Sequence, residues 1–358
     1  MEYVPGNAFK RLNGPVLITG HTGFKGAWLT LLLESLGIET VGYALEAEKD
    51  SLYDRLGRAG KIKEELADIR DIEKFVKFLN ETKPVAIFHL AAQPLVLESY
   101  KDPIGTFDTN VLGTAKVLEA ARTCSSVRLI SVITTDKVYR NNNSGKRFAE
   151  SDPLMGKDPY SASKVGTEAV VSAWQQIVQN SGGPEIISLR AGNVIGGGDY
   201  AQNRLLPDLV RGFTLNQKIE IRNPASTRPW QHVLDPVGGY LKAAELNLDG
   251  KKIGAAYNFG PSEPSLRVDE VVKIALQTWG ESSIEVEMGE IKESELESTN
   301  LDLDSTLAEL DLNWYPCWDQ RHATQLTIEW WKSVILREMS PFEACSKDLN
   351  EFKERTRQ

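Results

Sequence analysis

Cysteine and histidine are scarce in this chain. Its 358 residues include three cysteines and four histidines. Cys124, Cys317 and Cys345 stand far apart, with no Cys-x-x-Cys pair. The usual zinc frameworks are thereby excluded, and no metal is expected. A sparse, odd cysteine count fits a reducing compartment. Positive charge is also short, with 41 Lys and Arg against 50 Asp and Glu and a formal net charge of −9. A nucleic-acid binder would normally carry a basic patch, so no nucleic-acid partner is expected. A small anionic ligand stays compatible, because a local site can be basic in an acidic chain. Long apolar runs are missing as well. Nothing approaches the roughly 20 apolar residues of a membrane span, and the opening MEYVPGNAFKRLNG has no apolar signal core. The expectation is a cytoplasmic protein with no membrane partner.

What is present is ordinary globular composition, 41% hydrophobic and 25% charged, in a length that allows one large or two ordinary domains. Short apolar runs recur at PVLITG (15–20), ETVGYAL (39–45), PVAIFHLAA (84–92), VRLISVITT (127–135) and PEIISLRAG (184–192). Helical spacing separates them at 27–37, 71–82, 108–122 and 160–179. Strands alternating with helices predict an α/β fold: a doubly wound parallel sheet of Rossmann type with a smaller C-terminal substrate-binding domain. The expected division is 1–192, with 231–262 returning to it, against 193–230 and 263–358. KESELESTN (292–300) is charged but too short to read as disordered. Trp330 and Trp331 are expected to pack a C-terminal helix onto the body.

TGHTGFKG (19–26) lies between the first strand and the first helix, with Gly20, Gly23 and Gly26 three apart. Such a turn lets backbone amides and a helix N-terminus meet a pyrophosphate, with Thr22, Phe24 and Lys25 alongside. The spacing differs from the common GxGxxG, and a plain strand–helix turn is the alternative. Glu46 follows Gly26 by 20 positions and could hold an adenine ribose, though it stands in an acid-rich stretch. Asp68 and Ile69 in LADIRD could read adenine; a helix cap for 71–82 is the other reading of Asp68. No arginine follows the second strand at once, which favours NAD over NADP.

A third group handles protons. Tyr160 and Lys164 in DPYSASKVGTEAV are four apart, on one face of a helix. A tyrosine has a pKa of about 10 and needs a neighbouring cation to act as a base near neutrality. Thr134 and Thr135 end a strand just upstream, followed at once by Asp136 and Lys137.

The order TGHTGFKG, HLAAQ (89–93), TTD (134–136), YSASK (160–164) resembles the extended short-chain dehydrogenase/reductase superfamily over nearly the whole chain. Within it, GHTGFKGAWLTLLLESLG, AAQPLVLESYKDP, TTDKVYRNN, GKDPYSASK, RAGNVIGGGDYAQNRLLPD and RPWQHVLDPVGGYL resemble the CDP-glucose 4,6-dehydratases. Val138 and Met155 depart from that pattern. The resemblance implies tightly bound NAD, a CDP-glucose substrate and a CDP-4-keto-6-deoxyglucose product for deoxysugar biosynthesis. It implies Tyr160 as the base for the 4-hydroxyl and Lys164 as the cation that lowers its pKa and binds the nicotinamide ribose. Thr135 would bond the 4-oxygen, and Asp136 would donate a proton to the departing water. Lys137 stands where many related dehydratases carry glutamate. It would be a neutral base for C5, a charged stabiliser of the enolate, or a side chain turned to solvent. Ala91, Ala92 and Gln93 would line the cofactor; Asn110 would give structural support; His89 would pack at a strand end. Asn193, Arg204 and Arg228 would clamp the nucleotide, surface salt bridges being the alternative for the arginines. The resemblance also implies a homodimer through helices 108–122 and 160–179, with a tetramer as the alternative. A dehydratase of another nucleotide sugar, a 4-epimerase, and a non-catalytic NAD-binding sensor are the competing readings.

Overall fold

The computed structural model describes residues 5–142, 145–221, 223–280, 284–289 and 301–356. The charged stretch 292–300 lies outside the described residues. Seven strands form one parallel sheet: β1 (Val16–Thr19), β2 (Thr40–Ala44), β3 (Lys63–Leu66), β4 (Ala86–His89), β5 (Leu129–Ile133), β6 (Glu185–Ala191) and β7 (Ala256–Phe259). Their spatial order is β7-β6-β5-β4-β1-β2-β3. β1, β2, β4 and β5 are buried at every position, as strands covered on both faces must be. The strand order reverses between β1 and β4, and ligands of such sheets bind in the crevice at the carboxyl ends there.

Helices cover the two faces. α1 (Phe24–Ser35), α2 (Ile72–Thr82), α3 (Thr114–Thr123) and α4 (Pro159–Ser181) accompany the first five strands. Leu17, Val41, Ile87 and Ile130 pack on Phe75, Leu79 and Val117 on one side. Val16, Ile18, Phe88 and Leu129 pack on Trp28, Leu32 and Tyr240 on the other. β3 is a strand that the apolar pattern does not announce. Its sequence KEEL is half exposed, which a sheet edge tolerates and uses against edge-to-edge pairing.

The predicted helix 108–122 also differs in detail. Asp108–Gly113 is a π-helical turn that runs into α3. The Asn110 carbonyl there accepts side-chain bonds from Thr114 Oγ1 (2.7 Å) and Thr167 Oγ1 (2.8 Å). Hydroxyl donors thus serve a carbonyl that a widened turn leaves free.

After β6 the chain leaves the sheet. It forms α5 (Leu205–Leu215), a parallel pair of Ile219–Ile221 with Val286–Met288, and α7 (Val268–Trp279). Between them α6 (Leu234–Leu248) lies against the sheet and β7 joins it. α8 (Gln320–Ile335) and α9 (Pro341–Thr356) follow. Trp330 and Trp331 of α8 are 3% exposed, and a Cβ at Gly197 would overlap the Trp330 ring at 1.9 Å. The helix therefore seats directly on the glycine-rich backbone after β6.

Candidate active site

The glycine turn closes β1 and opens α1. Gly20 has φ +75°, and a Cβ there would lie 2.8 Å from the Ala91 amide nitrogen. A Cβ at Gly26 would lie 2.2 Å from the Gly20 carbonyl oxygen. Both positions need glycine for sterics, and Gly23 is exposed at the cap of α1. That cap has no side-chain bond, and the first turn of α1 carries no acidic residue. Free amides at a positive helix end suit a pyrophosphate, so the turn fits a dinucleotide.

The other cofactor candidates lie along the same edge. Thr22 donates to the Leu45 carbonyl (3.0 Å). The Ala91 amide donates to Thr19 Oγ1 (3.2 Å), the Gln93 amide donates to Asn110 Oδ1 (2.8 Å), and Asn110 Nδ2 donates to the Gln93 carbonyl (3.1 Å). Ala92 is half-buried between them. Asp68 follows β3; its carboxylate takes the Arg70 amide (2.8 Å) and guanidinium (2.7 Å), which hold its pKa low. Asp71, not Asp68, caps α2. Ile69 is buried against α3, and Glu46 is exposed. His89 bonds Thr19 (2.7 Å) and Thr114 (3.0 Å), and burial pushes its pKa down to about 3, so it is a neutral packing residue.

The proton-handling residues converge at the ends of β5 and α4. Thr135 stays extended and caps a single 3₁₀ turn, Asp136–Val138, by accepting from the Lys137 amide (3.3 Å). Its hydroxyl donates to Asp136 Oδ1 (2.9 Å). Asp136 is 1% exposed, and its Oδ2 has no hydrogen-bond partner among the described residues. Burial raises its pKa, against the opposing pull of Lys137, Thr135, Arg228 and Lys25. A Cβ at Gly192 would lie 3.3 Å from that Oδ2 and 2.5 Å from Pro229, so only glycine leaves room for the carboxyl. Lys137 is half-buried.

α4 starts where its sequence says. Pro159 takes the first position, and Asp158 and Ser161 form a reciprocal capping box (2.9 and 3.1 Å). Those caps fix the phase that points Tyr160 and Lys164 inward. Burial pushes the Tyr160 phenol up to about 12, while a hydrogen bond with Thr135 and the charge of Arg204 pull it down. Lys164 donates to the Ile133 carbonyl (3.3 Å); burial pushes its pKa down to about 8, and Glu168 pulls it up. Lys25 reaches the same region. Burial, then Arg204 and Lys164, bring it to about 8.

Arg204 is half-buried and forms a salt bridge. It pairs with the buried Asp199 (2.9 Å), and its charge is felt at Tyr160 and Lys25. Arg228 donates to the Thr227 carbonyl (2.8 Å), and its charge reaches Asp136. The Asn193 carbonyl accepts from the Gln231 amide (3.0 Å).

The model of the NAD dependent epimerase/dehydratase family matches residues 16–260. The chain belongs to that family. A CDP-glucose 4,6-dehydratase of Salmonella typhimurium is 40% identical over 328 residues, 89% of this chain and 91% of the relative. The UDP-glucose 4-epimerase of Thermotoga maritima, solved with UDP-glucose, superposes with TM-score 0.78 at 21% identity, over 90% of this chain and 99% of its own. The dTDP-glucose 4,6-dehydratase of Bacillus anthracis, solved with NAD, gives 0.74 at 22%, over 89% and 97%. These two solved structures establish the shared epimerase/dehydratase fold.

Several residues at the site escaped sequence reasoning. Glu168 stands one turn beyond Lys164, and that spacing could have flagged it. Gly192, Asp199 and Tyr240 carried no signal. Tyr240 is fully buried with its hydroxyl unpartnered among the described residues, and burial raises its pKa, with Tyr160 and Asp136 adding to the rise.

Proposed function

We propose that this chain is an NAD-dependent CDP-glucose 4,6-dehydratase, a hydro-lyase forming CDP-4-keto-6-deoxyglucose for deoxysugar biosynthesis. One observation carries the reading: a buried Asp136, bonded through Thr135 to the same hydroxyl system as Tyr160, with Lys137 directly after it. Epimerisation needs a base and a hydroxyl at C4 but no acid for a leaving 6-hydroxyl. The 40% relative carries the same reaction in its name.

Gly20, Thr22, Gly23, Phe24, Lys25 and Gly26 would hold the NAD pyrophosphate. Asp68 and Ile69 would meet adenine; Ala91, Ala92 and Gln93 would line the dinucleotide; Tyr160 and Lys164 would meet the nicotinamide ribose. Bound NAD supplies the acceptor of hydride from sugar C4 and its donor to C6. Tyr160 takes the proton of the 4-hydroxyl, and Thr135 bonds the 4-oxygen. The 4-ketone acidifies the C5 hydrogen. Asp136, whose burial favours the protonated form, delivers a proton to the departing 6-hydroxyl. Lys137 acts at C5, as base or as a cation on the enolate. Lys137→Ala should abolish C5 hydrogen exchange with solvent, and normal exchange would end both roles. Arg204, Arg228 and Asn193 would hold the nucleotide diphosphate.

The homodimer belongs to the same proposal. Its support is the exposed apolar surface of Leu97, Tyr100, Ile104, Phe107 and Leu112, beside and on the 108–122 segment. Cytoplasmic residence is supported by the three cysteines, all free thiols. The deciding experiment is incubation with NAD and a panel of CDP-, dTDP-, GDP- and UDP-hexoses, read by mass spectrometry. Loss of one water from CDP-glucose is the expected result. Water loss only from another member would replace the substrate, and an isomer of unchanged mass would replace the reaction.

A further inference from the structure

The loop that carries Thr135, Asp136 and Lys137 is bracketed by two residues that face away from the site, Thr134 and Tyr139. Both are tied to one buried ion pair. Thr134 Oγ1 donates to Glu168 Oε1 (2.6 Å). Arg190 clasps the same carboxylate through Nε (2.8 Å) and Nη2 (2.8 Å). Its third nitrogen, Nη1, donates to the Tyr139 hydroxyl (2.8 Å), which donates onward to Asn258 Oδ1 (2.7 Å). Ser188 Oγ adds a further bond to Glu168 Oε1 (2.7 Å). Glu168 and Arg190 side chains are each only 6% exposed. Glu168 sits one turn beyond Lys164 and two beyond Tyr160 on α4.

Four segments therefore meet at one carboxylate–guanidinium pair: the end of β5, α4, β6 and, through Asn258, β7. We infer that Glu168 and Arg190 are positioning residues that lock the Thr135–Lys137 loop in register with Tyr160 and Lys164, Glu168 also being the anion that keeps Lys164 charged. A bidentate pair of this kind fixes angle as well as distance, and a loop held at both ends has little freedom left. The titratable groups that act on Lys164 are Glu168 from its own helix, Lys25 from the glycine turn and His89 from β4. His89 is neutral and Lys25 is a competing cation, so Glu168 is the anion on which the charge of Lys164 depends.

The inference rests on the dehydratase reading, and its test separates the two. Turnover of CDP-glucose is followed across neutral and alkaline pH in the wild type, Glu168→Gln and Thr134→Val, each saturated with NAD. Absence of water loss in the wild type would sink the dehydratase reading itself. With an active wild type, Glu168→Gln should lower kcat roughly 10- to 100-fold at unchanged KM. It should also move the alkaline limb, where Lys164 loses its proton, about one unit toward lower pH. A purely structural role would lower the melting temperature and leave the limb in place, and that result overturns the proposal. Thr134→Val is isosteric and keeps both charges, so it decides the matter if Glu168→Gln fails to fold. A slower kcat with the limb unmoved is expected; wild-type kcat would refute the clamp.

Discussion

Replacing Asp136 by asparagine separates the two halves of the reaction. The change is isosteric, and the Asn carbonyl oxygen still accepts the Thr135 bond now made at 2.9 Å by Oδ1. The amide nitrogen takes the place of Oδ2, which has no partner to lose among the described residues. The fold and the sugar-binding geometry should survive. What disappears is the proton for the leaving 6-hydroxyl. General acid catalysis is worth about 10²- to 10⁴-fold, or about 3 to 5 kcal/mol of barrier, so water loss should slow by that much. The first half should not slow. Any negative charge on Asp136 pushes the Tyr160 pKa up, and asparagine removes it, leaving Tyr160 an equal or better base. Single turnovers should then show reduced nicotinamide, seen by its near-ultraviolet absorbance, appearing at the wild-type rate and persisting. Mass spectrometry should show the delayed loss of water. Water loss at the wild-type rate would refute the acid role. Equal slowing of both halves would refute the separation.

Other outcomes follow from the same geometry. Gly26→Ala puts a Cβ 2.2 Å from the Gly20 carbonyl and must open the turn; loss of one amide-to-phosphate bond would weaken NAD binding roughly ten- to hundredfold, measurable by calorimetry. Thr135→Val removes a hydrogen bond that pulls the Tyr160 pKa down against burial, so the acid limb of kcat/KM should move up by about one unit. Asp235 has its pKa raised from 3.8 to about 8 by burial, so the fold favours its protonated form. The stability it contributes is full below pH 3.8 and drains away as pH rises toward about 8; Asp235→Asn, which can still accept the Cys317 amide, should flatten the melting temperature across that window. Trp330→Ala should cost about 3–5 kcal/mol in denaturant titration, since the ring fills the space above Gly197.

The sheet was legible wherever burial on both faces leaves an apolar run, as in LISVI of β5. KEEL of β3 was not, because an edge strand needs no such run. The helix at 160–179 announced itself through its helical spacing, and Asp158 and Pro159 set its start. The π turn at 108–113 did not, since it depends on hydroxyls that fold back from Thr114 and Thr167. At the site, Thr135, Asp136, Tyr160 and Lys164 could be singled out because their chemistry is local in sequence. Arg190 and Asn258 could not. They act on the loop after β5 from 51 and 119 residues beyond Tyr139, and only the folded sheet brings them there.

The outermost strand, β7, has consequences for how the molecule assembles. Its first residue, Ala256, pairs with Ser188, so this edge closes only after 67 intervening positions have been laid down. Closing a segment of that length costs entropy before any strand contact repays it. The inner strands, with shorter connections, can collapse first. Until β7 arrives, β6 presents a row of open backbone groups along a flat apolar edge, the kind of surface to which another chain can add. A nascent chain released before residue 256 should therefore aggregate through the open β6 edge, and the completed one should not.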